Sequence, residues 1–239
     1  MLAKAMEGSQ RIAVVTGAFG VLGSAVARAF AAHGYRVALL DMAVDPPAAL
    51  VEELGQTHLL IGGVDLGQLE AARKAIAAVA MRFGGIDALV NVAGGFCWEL
   101  LQDGEVETWD ELYAINLRTA VASCKAALPA LLERGRGRIV NVGAGAAARA
   151  GAGMGAYAAS KSGVERLTEA LAAELRDQGV TVNAVLPGII DTPRNRADMP
   201  DADYSRWVAP EAIADVIVFL ASDAARAVTG AAVRVFGRG

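Results

Sequence analysis

Short β-branched runs alternate with Ala-rich helical stretches along almost the whole of this 239-residue chain, and that alternation leaves few folds open. A strand followed by a helix long enough to return alongside it builds parallel pairs, and a parallel sheet needs helices over both faces. The strand candidates are Arg11 to Thr16, Tyr35 to Asp41, His58 to Gly62, Ile86 to Asn91, Arg138 to Val142, Val180 to Leu186 and Ala231 to Phe236. Helix candidates fall at Gly20 to His33, Pro47 to Leu54, Leu66 to Phe83, Glu107 to Arg134, Ala156 to Gln178 and Pro210 to Ser222. The pattern predicts a single α/β domain over residues 1–239, with seven parallel strands wound in both directions and helices on both faces. No repeat or linker interrupts it. Pro193 to Ala209 is the one long stretch without periodicity, which predicts a loop facing the substrate.

Composition narrows the function classes. The chain is 54% hydrophobic and 20% charged, the balance of a folded globular protein. Its net charge of -4, with basic residues scattered among 26 acidic ones, argues against a nucleic-acid partner. The first residues, MLAKAMEGSQ, contain no apolar core of signal-peptide length. The charge-free run from Ile12 to Ala27 is broken by glycines and falls short of the roughly 18 apolar residues of a membrane span. No membrane partner is expected, and a cytoplasmic location is. Cys97 and Cys124 suggest neither a disulfide framework nor a zinc site, and His33 and His58 lack partners at ligand spacing, so no metal is expected.

The first strand runs into TGAFGVLG, where Gly17, Gly20 and Gly23 would let the backbone turn tightly, approach a pyrophosphate and pack helix on strand. Such a glycine pattern is weak alone. It gains weight from a strand before it, a helix after it, and Asp41 at the end of the second strand, 18 residues beyond Gly23. This is the fingerprint of a Rossmann-like dinucleotide site, with Phe19, Val21 and Leu22 as its other turn residues. A carboxylate at position 41 would bind both adenosine ribose hydroxyls and repel the extra phosphate of NADP, so NAD(H) is favoured over NADP. A solvated loop acid would read the same way.

Tyr157 and Lys161 stand four apart in YAASK at a helix start, which puts both on one face. A nearby ammonium stabilises a phenolate, so the pair predicts a Tyr157 hydroxyl more acidic than its reference value of about 10. An amphipathic helix with a surface Tyr and Lys is the alternative.

With these motifs in hand, the chain resembles the short-chain dehydrogenase/reductase family from end to end. The matches, in family order, are TGAFGVLG, Asp41, Asp65-Leu66, NVAG at Asn91 to Gly94, Asn116-Leu117, GRIVNV at Gly137 to Val142, YAASK, and PGIIDT at Pro187 to Thr192. The resemblance implies a nicotinamide cofactor and a Tyr157, Lys161 and Asn116 catalytic set, with Asn116 holding a water that relays protons to Lys161. It implies that Asp65 and Leu66 flank the adenine and that Asn91, Ala93 and Gly94 line the cofactor. Pro187, Gly188, Ile190 and Thr192 would meet the nicotinamide end. It also implies a homodimer or homotetramer, paired through the helices at Glu107 to Arg134 and Ala156 to Gln178.

Two departures stand out. The glycines are spaced GxxGxxG rather than the common GxxxGxG, with Val21 at the usual middle glycine. The family's active-site Ser, thirteen residues before the Tyr, is Ala144, and Val142 to Ala156 contains no Ser or Thr to replace it. Loss of such a donor typically removes about 2.7 to 4 kcal/mol of transition-state stabilisation. Both departures resemble the quinonoid dihydropteridine reductase subgroup, as do GAGAA at Gly143 to Ala147 and the loop from Leu186 to Trp207. That likeness implies an NADH-dependent reductase of a flat, electron-poor small molecule, with Phe96 and Trp207, and also Trp98, available for stacking and Ala144 beside the substrate. Two other functions fit the sequence: a carbonyl or alcohol dehydrogenase of 3-oxoacyl type, and an NAD(H)-binding protein without catalysis.

Overall fold

A computed structural model describes residues 10–238. The leader reading of the first residues therefore falls almost wholly outside the described residues. Seven strands appear: β1 Ile12–Thr16, β2 Arg36–Leu40, β3 Leu59–Ile61, β4 Ala88–Asn91, β5 Arg138–Val142, β6 Thr181–Pro187 and β7 Ala232–Val235. All pair in parallel, in the order β3-β2-β1-β4-β5-β6-β7. The strand order reverses direction between β1 and β4, and at such a switch point the diverging connections leave a crevice beyond the carboxyl ends of the strands.

The side-chain alternation of β1 and β2 explains the two layers. Ala13, Val15, Val37 and Leu39 point to one face and Ile12, Val14, Ala38 and Leu40 to the other, all nearly or fully buried. On the first face α1 (Val21–Ala32) and, near the C-terminus, a helix at Pro210–Ala221 cover the sheet through Phe30, Ile213 and Ile217. On the second, helices at Leu69–Phe83 and Thr119–Arg134 contribute Ile76, Val79 and Leu131. Leu131 is fully buried, and truncating such a residue to Ala costs about 2–5 kcal/mol.

In chain order the remaining helices are α2 Ala48–Leu54, α3 Leu69–Phe83, α4 Val106–Tyr113, α5 Thr119–Arg134, α6 Gly155–Glu174, α7 Pro193–Asp198 and α8 Pro210–Ala221. Three expectations need correction. The helix expected from Leu66 starts at Leu69, because the Asp65 Oδ1 accepts the Gly67 N–H at 2.9 Å and holds a turn there. The helix expected as one rod from Glu107 to Arg134 is α4 and α5 joined by a π-helical turn at Ala114–Arg118. The stretch expected as a loop from Pro193 to Ala209 contains α7, with Pro193 in its first turn and Thr192 Oγ1 accepting from Asn195 N at 3.1 Å. That Thr-Pro start was a readable cap signal.

Candidate active site

The glycine turn after β1 is dictated by close backbone approach. Gly17 has φ +60, and a Cβ there would lie 2.7 Å from Ala93 Cα. A Cβ on Gly23 would lie 2.1 Å from the Gly17 carbonyl oxygen, so α1 can leave the turn only if residue 23 has no side chain. Gly20 is different. A Cβ there would meet the protein only at an ordinary 3.5 Å, so nothing in the protein itself demands a glycine at the lip of the turn. No side chain caps the start of α1, and its first amides, at Val21 and Leu22, point outward from a helix N-terminus, a ready anion seat. Val21 is about half exposed and Leu22 is buried against the core. These features fit the pyrophosphate of a dinucleotide.

Asp41 stands beside this turn. Its Oδ2 accepts the Phe19 N–H at 2.8 Å and its Oδ1 the Ala43 N–H at 2.9 Å. Each oxygen keeps a second lone pair for a ribose hydroxyl. Asp65 is exposed, whereas Leu66 is a core side chain against α3. Only the backbone of Leu66 is left to meet a ligand. Thr16 Oγ1 accepts from Val92 N and Ala93 N at 3.1 and 3.2 Å and fixes the segment after β4 against the glycine turn. Asn91 points inward instead: its Nδ2 donates to Asn141 Oδ1 at 2.8 Å, and Asn141 in turn donates to Thr168 on α6. Its side chain joins strands rather than lining the crevice.

Gly94 marks the meeting point of two of the catalytic candidates. A Cβ on it would lie 2.7 Å from Asn116 Oδ1 and 3.0 Å from Lys161 Nζ. Asn116 sits in the π turn, where its Oδ1 accepts from Gly95 N (2.9 Å) and its Nδ2 donates to Gly95 O (3.1 Å) and Ser160 Oγ (3.0 Å). Both Nδ2 hydrogens are committed to the protein while Oδ1 keeps one lone pair, so a water held by this residue would donate to that oxygen or use the backbone. Ser160, which also donates to the Tyr157 carbonyl, and Thr16 are site residues that sequence reasoning missed. Ser160 lies inside YAASK, where its neighbours Tyr157 and Lys161 drew the attention.

Tyr157 lies in the first turn of α6, with the Phe96 ring edge-on at 5.0 Å and 85°. Lys161, one turn on, is buried, and its Nζ donates to the Val142 carbonyl at 2.9 Å. Burial lowers the Lys161 ammonium to about 8 and pushes the Tyr157 phenol up to about 12. The expectation of a phenol made more acidic by its neighbour is thereby corrected: desolvation outweighs the ammonium, which is spent on a backbone carbonyl.

Ala144 is buried just beyond β5 in extended conformation. Phe96 and Trp98 are both more than half exposed, and Trp98 packs on Gly153 in the segment leading into α6, since a Cβ on Gly153 would fall 2.2 Å from its ring. Trp207 packs within its own segment. Its ring centroid lies 4.7 Å from that of Tyr204, over which Arg196 also lies, so stacking there is within the 193–209 segment. Gly188 N donates to Val235 O, and Ile190 bridges to Val208, so the strand continues from Pro187 towards the lip that Thr192 closes by capping α7.

Among the described residues no group of His, Cys, Asp and Glu could hold a metal ion, and no helix is long and apolar enough to cross a membrane. Known proteins agree with the geometry. The short chain dehydrogenase family profile matches residues 11–203. D-threitol dehydrogenase of Mycolicibacterium smegmatis is 36% identical over 92% of this chain and 89% of that protein. D-beta-hydroxybutyrate dehydrogenase of Rhizobium meliloti is 31% identical over 95% of this chain and 97% of its own. The crystal structure of 3-ketoacyl-(acyl-carrier-protein) reductase from Brucella melitensis, complexed with NADH, superposes with a TM-score of 0.86 at 27% identity, covering 97% of this chain and 99% of that one. These relatives lend no support to the likeness to dihydropteridine reductase. Parallel order, glycine turn, Tyr and Lys one turn apart and these relatives together settle the kinship: the chain is a member of the short-chain dehydrogenase/reductase family, an oxidoreductase.

Proposed function

We propose that this protein is an NAD(H)-dependent dehydrogenase that interconverts a secondary alcohol and its carbonyl compound, with Tyr157 as the group that gives or takes the proton. The observation that carries the reading is the meeting of Asn116 and Lys161 at Gly94, with Tyr157 one helical turn before Lys161 and against Phe96, at the carboxyl end of the sheet beside the switch point. A bound nicotinamide supplies or accepts the hydride. The outward amides of α1 and the glycines of the first turn are suited to its pyrophosphate, and the Asp41 carboxylate to its adenosine ribose. With no 2′-phosphate tolerated beside that carboxylate, NADP is disfavoured.

A phenol held near 12 is protonated at neutral pH, the state that donates to a carbonyl oxygen as hydride arrives. In the reverse direction it must lose that proton, so alcohol oxidation rises with pH. Positioning is shared: the Phe96 edge fixes the Tyr157 ring, and Ser160 ties Asn116 to the same turn of helix. The names of the relatives, a threitol, a hydroxybutyrate and a ketoacyl enzyme, support hydroxyl and carbonyl substrates. One observation favours a second reading. Ala144 supplies no hydroxyl, and exposed Phe96 and Trp98 stand at the site, which suits a flat, electron-poor substrate that needs one proton donor only.

The test is NADH and NADPH titration followed by turnover on short secondary alcohols, their ketones, and quinones and quinonoid dihydropterin. Turnover of the alcohol and ketone pair with NADH preferred supports the proposal; activity confined to the quinonoid compounds replaces it with the second reading. We propose also a two-fold assembly through α4, α5 and α6, supported by the exposed Trp109, Tyr113 and Val121 on the first two. Light scattering on the purified protein tests it.

A further inference from the structure

The opposite end of the sheet carries a second feature, unrelated to hydride transfer. At the amino ends of β5 and β6 lies an open cavity of about 360 Å³ lined by four arginines, Arg136, Arg138, Arg176 and Arg226, and by Thr181. No acidic side chain lines it, in a chain whose net charge is -4. Its floor is made by two turns that close on each other. Gly135 and Gly179, both left-handed, end α5 and the helical turn after α6, and a Cβ on Gly179 would lie 2.3 Å from the Gly135 carbonyl oxygen. Backbone contact there leaves no side chain to fill the space above.

The ion pairs nearby engage only two of these arginines, and each of those shares its carboxylate with another arginine. Asp87 is shared between Arg134 and Arg136 at 3.8 and 3.5 Å, and Asp223 between Arg11 and Arg138. Among the described residues, Arg176 and Arg226 make no ion pair with any carboxylate. Helix C-termini attract cations, which would account for one arginine at each turn. It does not account for four, nor for two buried polar groups without a partner. Arg138 and Thr181 face each other as strand partners, both more than nine-tenths buried, and neither Arg138 Nε nor Thr181 Oγ1 has a hydrogen-bond partner. Both can donate, and buried donors are rarely left unused.

We infer that this cavity is a binding site for a small, multiply charged oxyanion of the phosphate class, held by the forked guanidiniums of Arg176 and Arg226. It is separate from the dinucleotide crevice, because β5 begins here and ends at the carbonyl that receives Lys161.

Inorganic pyrophosphate is the probe. At millimolar concentration it is expected to raise the melting temperature of the full chain by about 3 °C, with hydrogen-exchange protection over residues 135–138, 176–181 and 226–229. Protection in the double variant Arg176→Ala/Arg226→Ala, whose side chains are exposed and whose fold should be unaffected, is expected to vanish while NADH binding is unchanged. Protection confined to residues 17–23 would mean that the probe uses the dinucleotide turn and would overturn the inference. So would an unchanged shift in the double variant, or no shift at all.

Discussion

The two halves of the crevice are built on opposite principles. Around β1, α1 and β2 the chain is shaped by atoms that are missing: Gly17 and Gly23 admit no Cβ because backbone already occupies the space. Around β5 and α6 the chain is shaped by atoms that are present: a phenol, an ammonium, and the hydrogen bonds that hold them. A requirement for emptiness cannot be met by another residue. A requirement for a hydroxyl can be met elsewhere or dropped, and Ala144 is where this chain drops it. The cofactor half should therefore be intolerant of change, and the substrate half adjustable.

Four variants test that contrast, the largest effect first. Tyr157→Phe is expected to lower kcat by about 10²–10⁴-fold with NADH affinity retained, as for loss of a general acid; steady-state kinetics with fluorescence titration check it. A mild loss would show that the phenol is not the proton donor. Ala144→Ser is expected to raise kcat/KM for a simple secondary alcohol by about 10²-fold, from a donor worth roughly 2.7–4 kcal/mol. Quinonoid acceptors should respond little, and a gain on neither class would mean that the substrate half is as fixed as the cofactor half.

Lys161→Met separates chemistry from stability. The Lys161 value of about 8 in the folded chain lies below the 10.5 of the free side chain. The unfolded chain therefore holds the extra proton between those values, and stability rises with pH across that window. Below it, burial of the ammonium costs roughly 3 kcal/mol at 1.36 per pKa unit. The variant leaves the Val142 carbonyl unpaired, at a cost of about 1–2 kcal/mol. Denaturant unfolding at pH 7 should thus show a variant about 1–2 kcal/mol more stable and inactive, the gain reversing by pH 10.5. Smallest is Asp41→Asn, expected to weaken NADH binding by about tenfold and to narrow the preference over NADPH, read by parallel titrations. An unaltered preference would remove the carboxylate from coenzyme selection.

Sequence carried the fold well because the five strands β1, β2, β4, β5 and β6 are buried on both faces and most helices have a Gly or Pro at or near one end, so period and punctuation agreed. The seven strands fell within one or two residues of their expected places. What escaped was local and depended on distant partners. The π turn at Ala114–Arg118 exists where Asn116 binds the Gly95 backbone, a contact twenty-one residues away that no window of sequence displays. Trp207, expected at the substrate, also packs on Tyr204, a pairing the sequence did not display because aromatic residues pack equally well on each other or on a ligand. The phenol was expected to be acidic from its neighbour's charge, but burial, which spacing does not reveal, decides its direction.

The π turn has a consequence for anyone redesigning this chain. It accommodates one residue beyond regular α-helical register, and an α-helix advances about 100° per residue. Deleting a residue between 114 and 118 would let the rod run straight and swing one end by that angle against the other. Either the buried face of α5, with Ala127 and Leu131, would rotate off the sheet, or the amide at 116 would swing away from Gly95. The bulge works as a phase adjuster, letting a single rod serve the core at one end and the crevice at the other.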